Sequence, residues 1–560
     1  CEDGQTVSAS YPFDLGSFTR STSTASFEAQ RWFDRGLVWS YAFNHEEAIA
    51  CFERAIAADE QFAFAHWGLA YAIGPNYNKQ WDAFDAVDLR TSLSWAYATV
   101  QRAVELAATA SPIERDLIGA LSQRYPSPDP SDDLDRSTAA YAQAMTDVYS
   151  AHPEDLDVTA LCADALMNVT PWALWDLVAG RPADGAHTAQ AREVLESALA
   201  RTDGMTHPGL LHFYIHLMEM SPTPEAALEA ANALRELVPD AGHLVHMPTH
   251  IDVLIGDYER VIADNERAIA ADHRHAEHAG TVNFYSLYRA HDHHFRIYGA
   301  MFAGRQATAL AAADALAASL PAELLAVEVP PMADWLESFV GMRLHVLVRF
   351  GRWQDIIEEP LPTDPQLYCV TTALTHYAKG VAFAASSCIP EAERERERFG
   401  AAVERVPDTR YLFNNTALDI LMIAGAMLDG EIEYRKANYD AAWVHLRRAI
   451  ELDDNLPYDE PWGWMQPTRH AYGALLLEQG ECETALDVYA ADLGLDATLP
   501  RACQHPNNVW SLRGYHECLT RLGRAADARR LEPDLDRAQA GADVEIKSSC
   551  FCRLQPVATA

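Results

Sequence analysis

The 560-residue sequence predicts an all-α fold, a solenoid of antiparallel helix hairpins. Three observations predict it. Three segments repeat one another without gaps, Ala, Leu and Glu are abundant while β-branched runs are scarce, and short glycine turns punctuate the helical patterns.

The repeated segments are FNHEEAIACFERAIAAD (43–59), GDYERVIADNERAIAAD (256–272) and ANYDAAWVHLRRAIELD (437–453), which align over seventeen residues. Each begins with a short polar turn and continues as an amphipathic helix. Ala48, Phe52, Ala55 and Ile56 mark one helix face. A second helical pattern lies upstream, as in RWFDRGLVWSYA (31–42) and HIDVLIG (250–256). Further pairs start at AHWGLAYAIG (65–74) and HAYGALLLEQGECETALDVY (470–489). Gly256, Gly351, Gly480 and Gly523 stand where hairpin turns are needed. These segments resemble the tetratricopeptide repeat family, most specifically over 28–75, 243–272 and 415–530. The resemblance implies stacked helix pairs forming a superhelix with a concave face.

Between the repeats, capping chemistry marks helix starts. Ser111-Pro112-Ile113-Glu114 is a capping box with proline at the first helical position, and Thr223-Pro224-Glu225 starts another helix. The stretch YPSPDPSDD (125–133) is an exposed break. The resulting division is an N-terminal extension (1–24), an N-terminal repeat lobe (25–124), a linker (125–134), histidine-rich repeats (135–300), C-terminal tetratricopeptide-type repeats (301–535) and a flexible tail (536–560). Residues 507–532 read as a terminal cap.

With 81 acidic against 43 basic residues, the net charge is −38. That field repels phosphate backbones and anionic membranes, so no nucleic-acid partner is expected. No apolar stretch is long enough to span a bilayer. Ten cysteines make no disulfide framework and point to a reducing, cytoplasmic setting. Cys1 at the chain start also fits a processed lipoprotein or secreted form, and the Cys550/Cys552 pair reads as incidental in a loose tail.

Twelve of the 22 histidines lie between His207 and His294. In LLHFYIHLMEM, His212, His216 and Glu219 share one helix face at spacings of four and three. In GHLVHMPTHID, Pro248 belongs in a first helical turn with His250, and His243 and His246 lie on the chain entering it. YRAHDHHF places His291 and His294 on one face if helical, and His294 completes the candidate ligand set of His212, His216, Glu219, His243, His246, His250 and His294. DHRHAEH (272–278) reads as a polar loop between repeats.

The blocks 65–81, 207–258 and 458–480 are similar to a large group of long bacterial and fungal tetratricopeptide-repeat proteins that share a GHLVHMPTHI-type motif. The similarity falls on polar and aromatic residues as well as packing positions: Asn76, Tyr77, Asn78, Glu460 and Trp462 beside the histidines. It implies one shared pocket lined from distant repeats, so that the solenoid closes around a central site. Tyr458, Trp462 and Trp464 supply an aromatic wall for a small organic substrate. Met465-Gln466-Pro467 departs from the tyrosine-rich stretch expected of that group.

The expectation is therefore a metal-dependent enzyme, an oxidoreductase using copper or iron. Two histidines with Glu219 suit non-haem iron, and six histidines suit a copper pair. A zinc hydrolase is an alternative. A second alternative is a non-catalytic scaffold for a peptide or protein partner, with the histidines in buried hydrogen-bond networks or acting as a pH sensor. The chain lacks HExxH, CxxC, GxxxxGK[ST] and GxSxG motifs.

Overall fold

A computed structural model describes residues 11–130 and 133–553. Cys1, two linker residues (131–132) and the last seven positions of the tail lie outside the described residues. Among those described, the regular structure is 27 α-helices, five short 3-10 turns and two β-hairpins with strands of two residues each. The fold is an all-α solenoid of helix hairpins, as the repeats predict.

Each repeated segment is the second helix of a hairpin. His45–Ala58 pairs with Phe27–Tyr41, Tyr258–Ala279 with Pro248–Ile255, and Tyr439–Asp454 with Ala417–Arg435. Asn44 and Asp257 cap two of them by accepting the backbone N–H of Glu47 and Arg260. Ala48, Cys51, Phe52 and Ala55 form the buried stripe of the first, and covering Phe52 alone contributes roughly 2 kcal/mol. Ser111 and Glu114 form the predicted capping box, with Pro112 at the first position. The helix predicted at Thr223 starts instead as a 3-10 turn, Pro224–Ala227, without a side-chain cap.

The turn glycines adopt left-handed backbone, with φ of 78° at Gly256, 62° at Gly351, 85° at Gly480 and 71° at Gly523. At Gly256 a second constraint applies, because a Cβ there would stand 2.3 Å from the Pro506 carbonyl oxygen. That contact belongs to a seam that closes the solenoid. Tyr258 Oη donates to the Pro506 carbonyl at 2.9 Å, Asn507 Nδ2 to the Ile255 carbonyl at 3.2 Å, and Arg501 pairs with Glu225 at 2.6 Å. Central and C-terminal repeats are thereby joined directly along this seam.

Two expectations are corrected. Residues 272–278 continue the helix Tyr258–Ala279 because no glycine or proline interrupts it before Gly280, and Asp272 and His275 extend its buried face. The tail is not loose as far as Arg553. Asp543 accepts the backbone N–H of Gln306 and Ala307, Ile546 is buried, and Arg553 pairs with Glu517 at 2.8 Å. Cys550 and Cys552 are joined in a disulfide within that packed segment. No helix among the described residues is long and apolar enough to cross a membrane.

Candidate metal centre

Four helices carry the histidine cluster: Pro208–Glu219, Gly242–His246, Pro248–Ile255 and Ser286–Phe302. The first is buried on every side. It lies so close to Tyr41 that a Cβ at Gly209 would stand 2.7 Å from the Tyr41 ring. The spacing of four places His212 and His216 one turn apart on the inward face. Pro248 opens its helix as expected, directing His250 inward one turn after His246. His212, His216, His243, His246, His250 and His291 are all buried, and His291 is the most exposed at 6%.

The rings form two groups. The centroids of His212 and His216 are 4.7 Å apart, and His243 is 4.9 Å from His212. His246 lies 4.7 Å from His250 and 4.6 Å from His291. Within each group of three, one donor atom from every residue falls within 4.8 Å of the others, as also holds for His216, Glu219 and His250.

Hydrogen bonds to the outer ring nitrogens fix the tautomers. His212 Nδ1 donates to the Tyr41 carbonyl at 2.6 Å. His246 Nδ1 donates to Asn265 Oδ1 at 2.7 Å, because Asn265 spends its Nδ2 on the Val261 carbonyl. His250 Nδ1 lies between carboxyl oxygens of Glu219, at 2.7 Å, and Glu460, at 2.8 Å. The Nε2 atoms of His212 and His246 are thereby left as acceptors. His246 Nε2 and His250 Nε2 face each other at 2.7 Å, close enough to share a single proton or to be turned towards one ion. His212 Nε2, His216 Nε2 and both nitrogens of His243 are buried without a hydrogen-bond partner. Protonation is opposed: burial, reinforced by neighbouring histidines, holds the His212, His243 and His246 imidazoles well below their ordinary range. Neutral imidazoles oriented by outer hydrogen bonds are how metal-ligating histidines are held.

Both Glu219 oxygens face imidazole nitrogens, Oε1 towards His216 at 3.0 Å and Oε2 towards His250. So placed, Glu219 can orient the two histidines, and it also stands with His216 and His250 as a group of donor atoms close enough to share an ion, the ligand role predicted for it. Burial pushes its carboxyl up to about 8, with the neighbouring Glu460 adding and His250 opposing.

Above the cluster opens a cavity of about 680 Å³. His250, His291 and Glu460 reach it from the cluster side, and Asn78, Trp172, Tyr288 and Phe413 form part of its wall. Of the predicted substrate residues, Asn78 and Glu460 line this cavity. Tyr458 backs it by donating to Glu460. Tyr77 lies deeper, its ring 4.9 Å from His216, and Asn76 closes a turn by accepting the N–H of Asn78 and Lys79. Trp462 and Trp464 turn away from the cavity. Trp462 Nε1 donates to Asp453, and Trp464 packs on His345 and Tyr377. They sit in a loop without regular period, so spacing does not give their direction.

His294 also turns away. Its Nε2 lies 2.7 Å from the Met465 sulfur and its ring packs on Phe339. Three residues along a helix rotate a side chain by about 300°, so His291 and His294 share a face only loosely, and His291 is the one that meets the cluster.

Sequence reasoning missed three aromatic residues. Phe43, Trp172 and Phe413 have left-handed backbone, with φ of 55°, 57° and 49°. Each of their rings packs on a cluster histidine: Phe43 4.6 Å from His212, Trp172 5.9 Å from His216, Phe413 4.5 Å from His291. Non-glycine residues in this conformation are strained, and such strain persists where surrounding structure holds it. A signal for Phe43 exists in the repeat alignment, where Gly256 and Ala437 occupy its position.

In comparisons with known proteins, no family model matches the chain and no curated protein matches it. Solved structures similar to it include the Cut9–Hcn1 hetero-tetramer of the APC/C, with 13% identity over 86% of this chain and 76% of that one, at a TM-score of 0.31. The human IFIT1 dimer with m7Gppp-AAAA shares 12% identity over 85% and 90% of the two chains, at 0.33. Yeast Tom70 shares 12% over 91% and 90%, at 0.27. The fold assignment stands on the helix hairpins and their repeats.

Proposed function

We propose that this chain is a metal-dependent enzyme whose ion sits among the buried histidines and meets a small organic substrate in the cavity beside them. The observation that carries this reading is the 2.7 Å approach of His246 Nε2 to His250 Nε2, with the Nδ1 of each engaged on its outer side. An all-imidazole donor set suits copper, iron or zinc. Copper or iron supplies oxidative chemistry, which keeps the oxidoreductase reading, and zinc supplies an activated water. Glu460 at the cavity wall is placed to take or give a proton, which would serve a hydrolytic reaction as well.

The test is elemental analysis of purified protein and of His246→Ala and His250→Ala. A stoichiometric transition metal that both variants lose, with helicity kept, supports the reading. A metal-free wild type that stays metal-free after exposure to copper, iron and zinc contradicts it.

A second reading, a scaffold for a peptide or protein partner, is favoured by the architecture, because stacked helix hairpins present a continuous inner surface. It gains if metal-free protein retains its partner.

A further inference from the structure

We infer that the cluster holds two metal ions, an inner one at His212, His216 and His243 and an outer one at His246, His250 and His291. This deepens the metal-binding reading and rests on it.

The two groups of donors share no residue. Each has an aromatic ring of its own. Phe43 lies 4.6, 5.7 and 5.6 Å from His212, His216 and His243, whereas Phe295 lies 4.8, 5.0 and 5.3 Å from His246, His250 and His291. A tetrahedral ion takes four ligands, so a single such ion leaves two or more of the six buried imidazoles uncoordinated. A buried ring nitrogen left so is costly, and His212 Nε2, His216 Nε2 and both nitrogens of His243 have no hydrogen-bond partner. Two ions of three histidines each leave none.

Glu219 joins the halves. Its Oε1 engages His216 of the inner group and its Oε2 engages His250 of the outer one. One carboxylate behind both groups fixes their spacing and offsets part of the added charge. Glu460 does the same for the outer group through His250, and Asp292, buried 3.4 Å from His246 Nδ1, adds a third carboxyl group.

The two positions differ in access. His250 and His291 border the cavity, and no histidine of the inner group does. Phe43 covers the inner group, and Tyr77 packs 4.9 Å from His216. The outer ion therefore keeps a side open towards substrate, while the inner ion is enclosed and acts by its charge and by holding its partner in place.

The experiment is a Co²⁺ titration of full-length protein freed of metal by chelation, read by visible absorption and by metal analysis after desalting. The expected result is a break at two equivalents per chain, falling to one in His243→Ala and to one in His291→Ala. A wild-type break at one equivalent overturns the pair and leaves the metal-binding reading standing. Absence of any bound cobalt overturns the pair, and the metal-binding reading falls with it if copper, iron and zinc also fail to bind. The wild-type stoichiometry decides even if a variant fails to fold.

Discussion

His246 and His250 point their Nε2 atoms at each other across one helical turn, 2.7 Å apart. Asn265 behind the first and two glutamates behind the second hold the rings in that orientation. Groups that touch only the outer nitrogens should therefore govern what the inner ones bind.

Asn265→Ala removes the acceptor for His246 Nδ1 without touching the Nε2 side. Loss of such an outer partner lowers metal affinity by about 10–100-fold. Competition with a chelator measures it. Unchanged affinity would mean that the hydrogen bond does not orient the ring for an ion.

Phe43 and Ala437 occupy equivalent turn positions, both with left-handed backbone, at φ of 55° and 63°. Relieving that conformation with glycine is worth about 1–2 kcal/mol. Ala437→Gly, at an exposed turn, should raise the melting temperature slightly. Phe43→Gly should lower it, because losing a buried phenylalanine costs about 3–5 kcal/mol and outweighs the relief. The opposite signs of the two shifts are the readout.

Gly256 combines left-handed backbone with contact on the Pro506 carbonyl. Gly256→Ala should loosen the seam between the central and C-terminal repeats. Amide exchange should rise around Ile255, Tyr258 and Asn507 more than at the helix Phe27–Tyr41, which lies away from the seam.

Asp453 sits far from the histidines in sequence, accepting hydrogen bonds from Thr468 and Trp462. Burial raises its carboxyl to about 6 from an ordinary value of 3.8. The folded state therefore holds the proton more tightly than the unfolded one. The resulting stability is present below pH 4 and is lost as pH rises through 6, a difference on the order of 3 kcal/mol. Chemical denaturation between pH 4 and 8 should show a smaller fall for Asp453→Asn than for the parent protein.

Most of the fold is legible in the sequence because its determinants are local and repeated. Three segments carry the same apolar stripe, and glycines mark the turns. Five histidines of the cluster are legible for a related reason: their spacings of three and four on helices and the position of Pro248 specify direction. His291 in place of His294 is a matter of a fraction of a turn, which periodicity alone does not resolve. Trp462 and Trp464 lie in an irregular loop, where neighbours such as Asp453 and Tyr377 decide the facing. The cavity itself is lined by residues as far apart in sequence as Asn78 and Glu460, and nothing local encodes their meeting.

The most direct measurement is anomalous diffraction from a crystal of the purified protein, recorded at the absorption edge of the metal found by elemental analysis. The account predicts an anomalous peak within about 2.0–2.2 Å of His246 Nε2 and His250 Nε2. Rings turned apart, with no anomalous peak and each Nε2 hydrogen-bonded to protein or water, would contradict it.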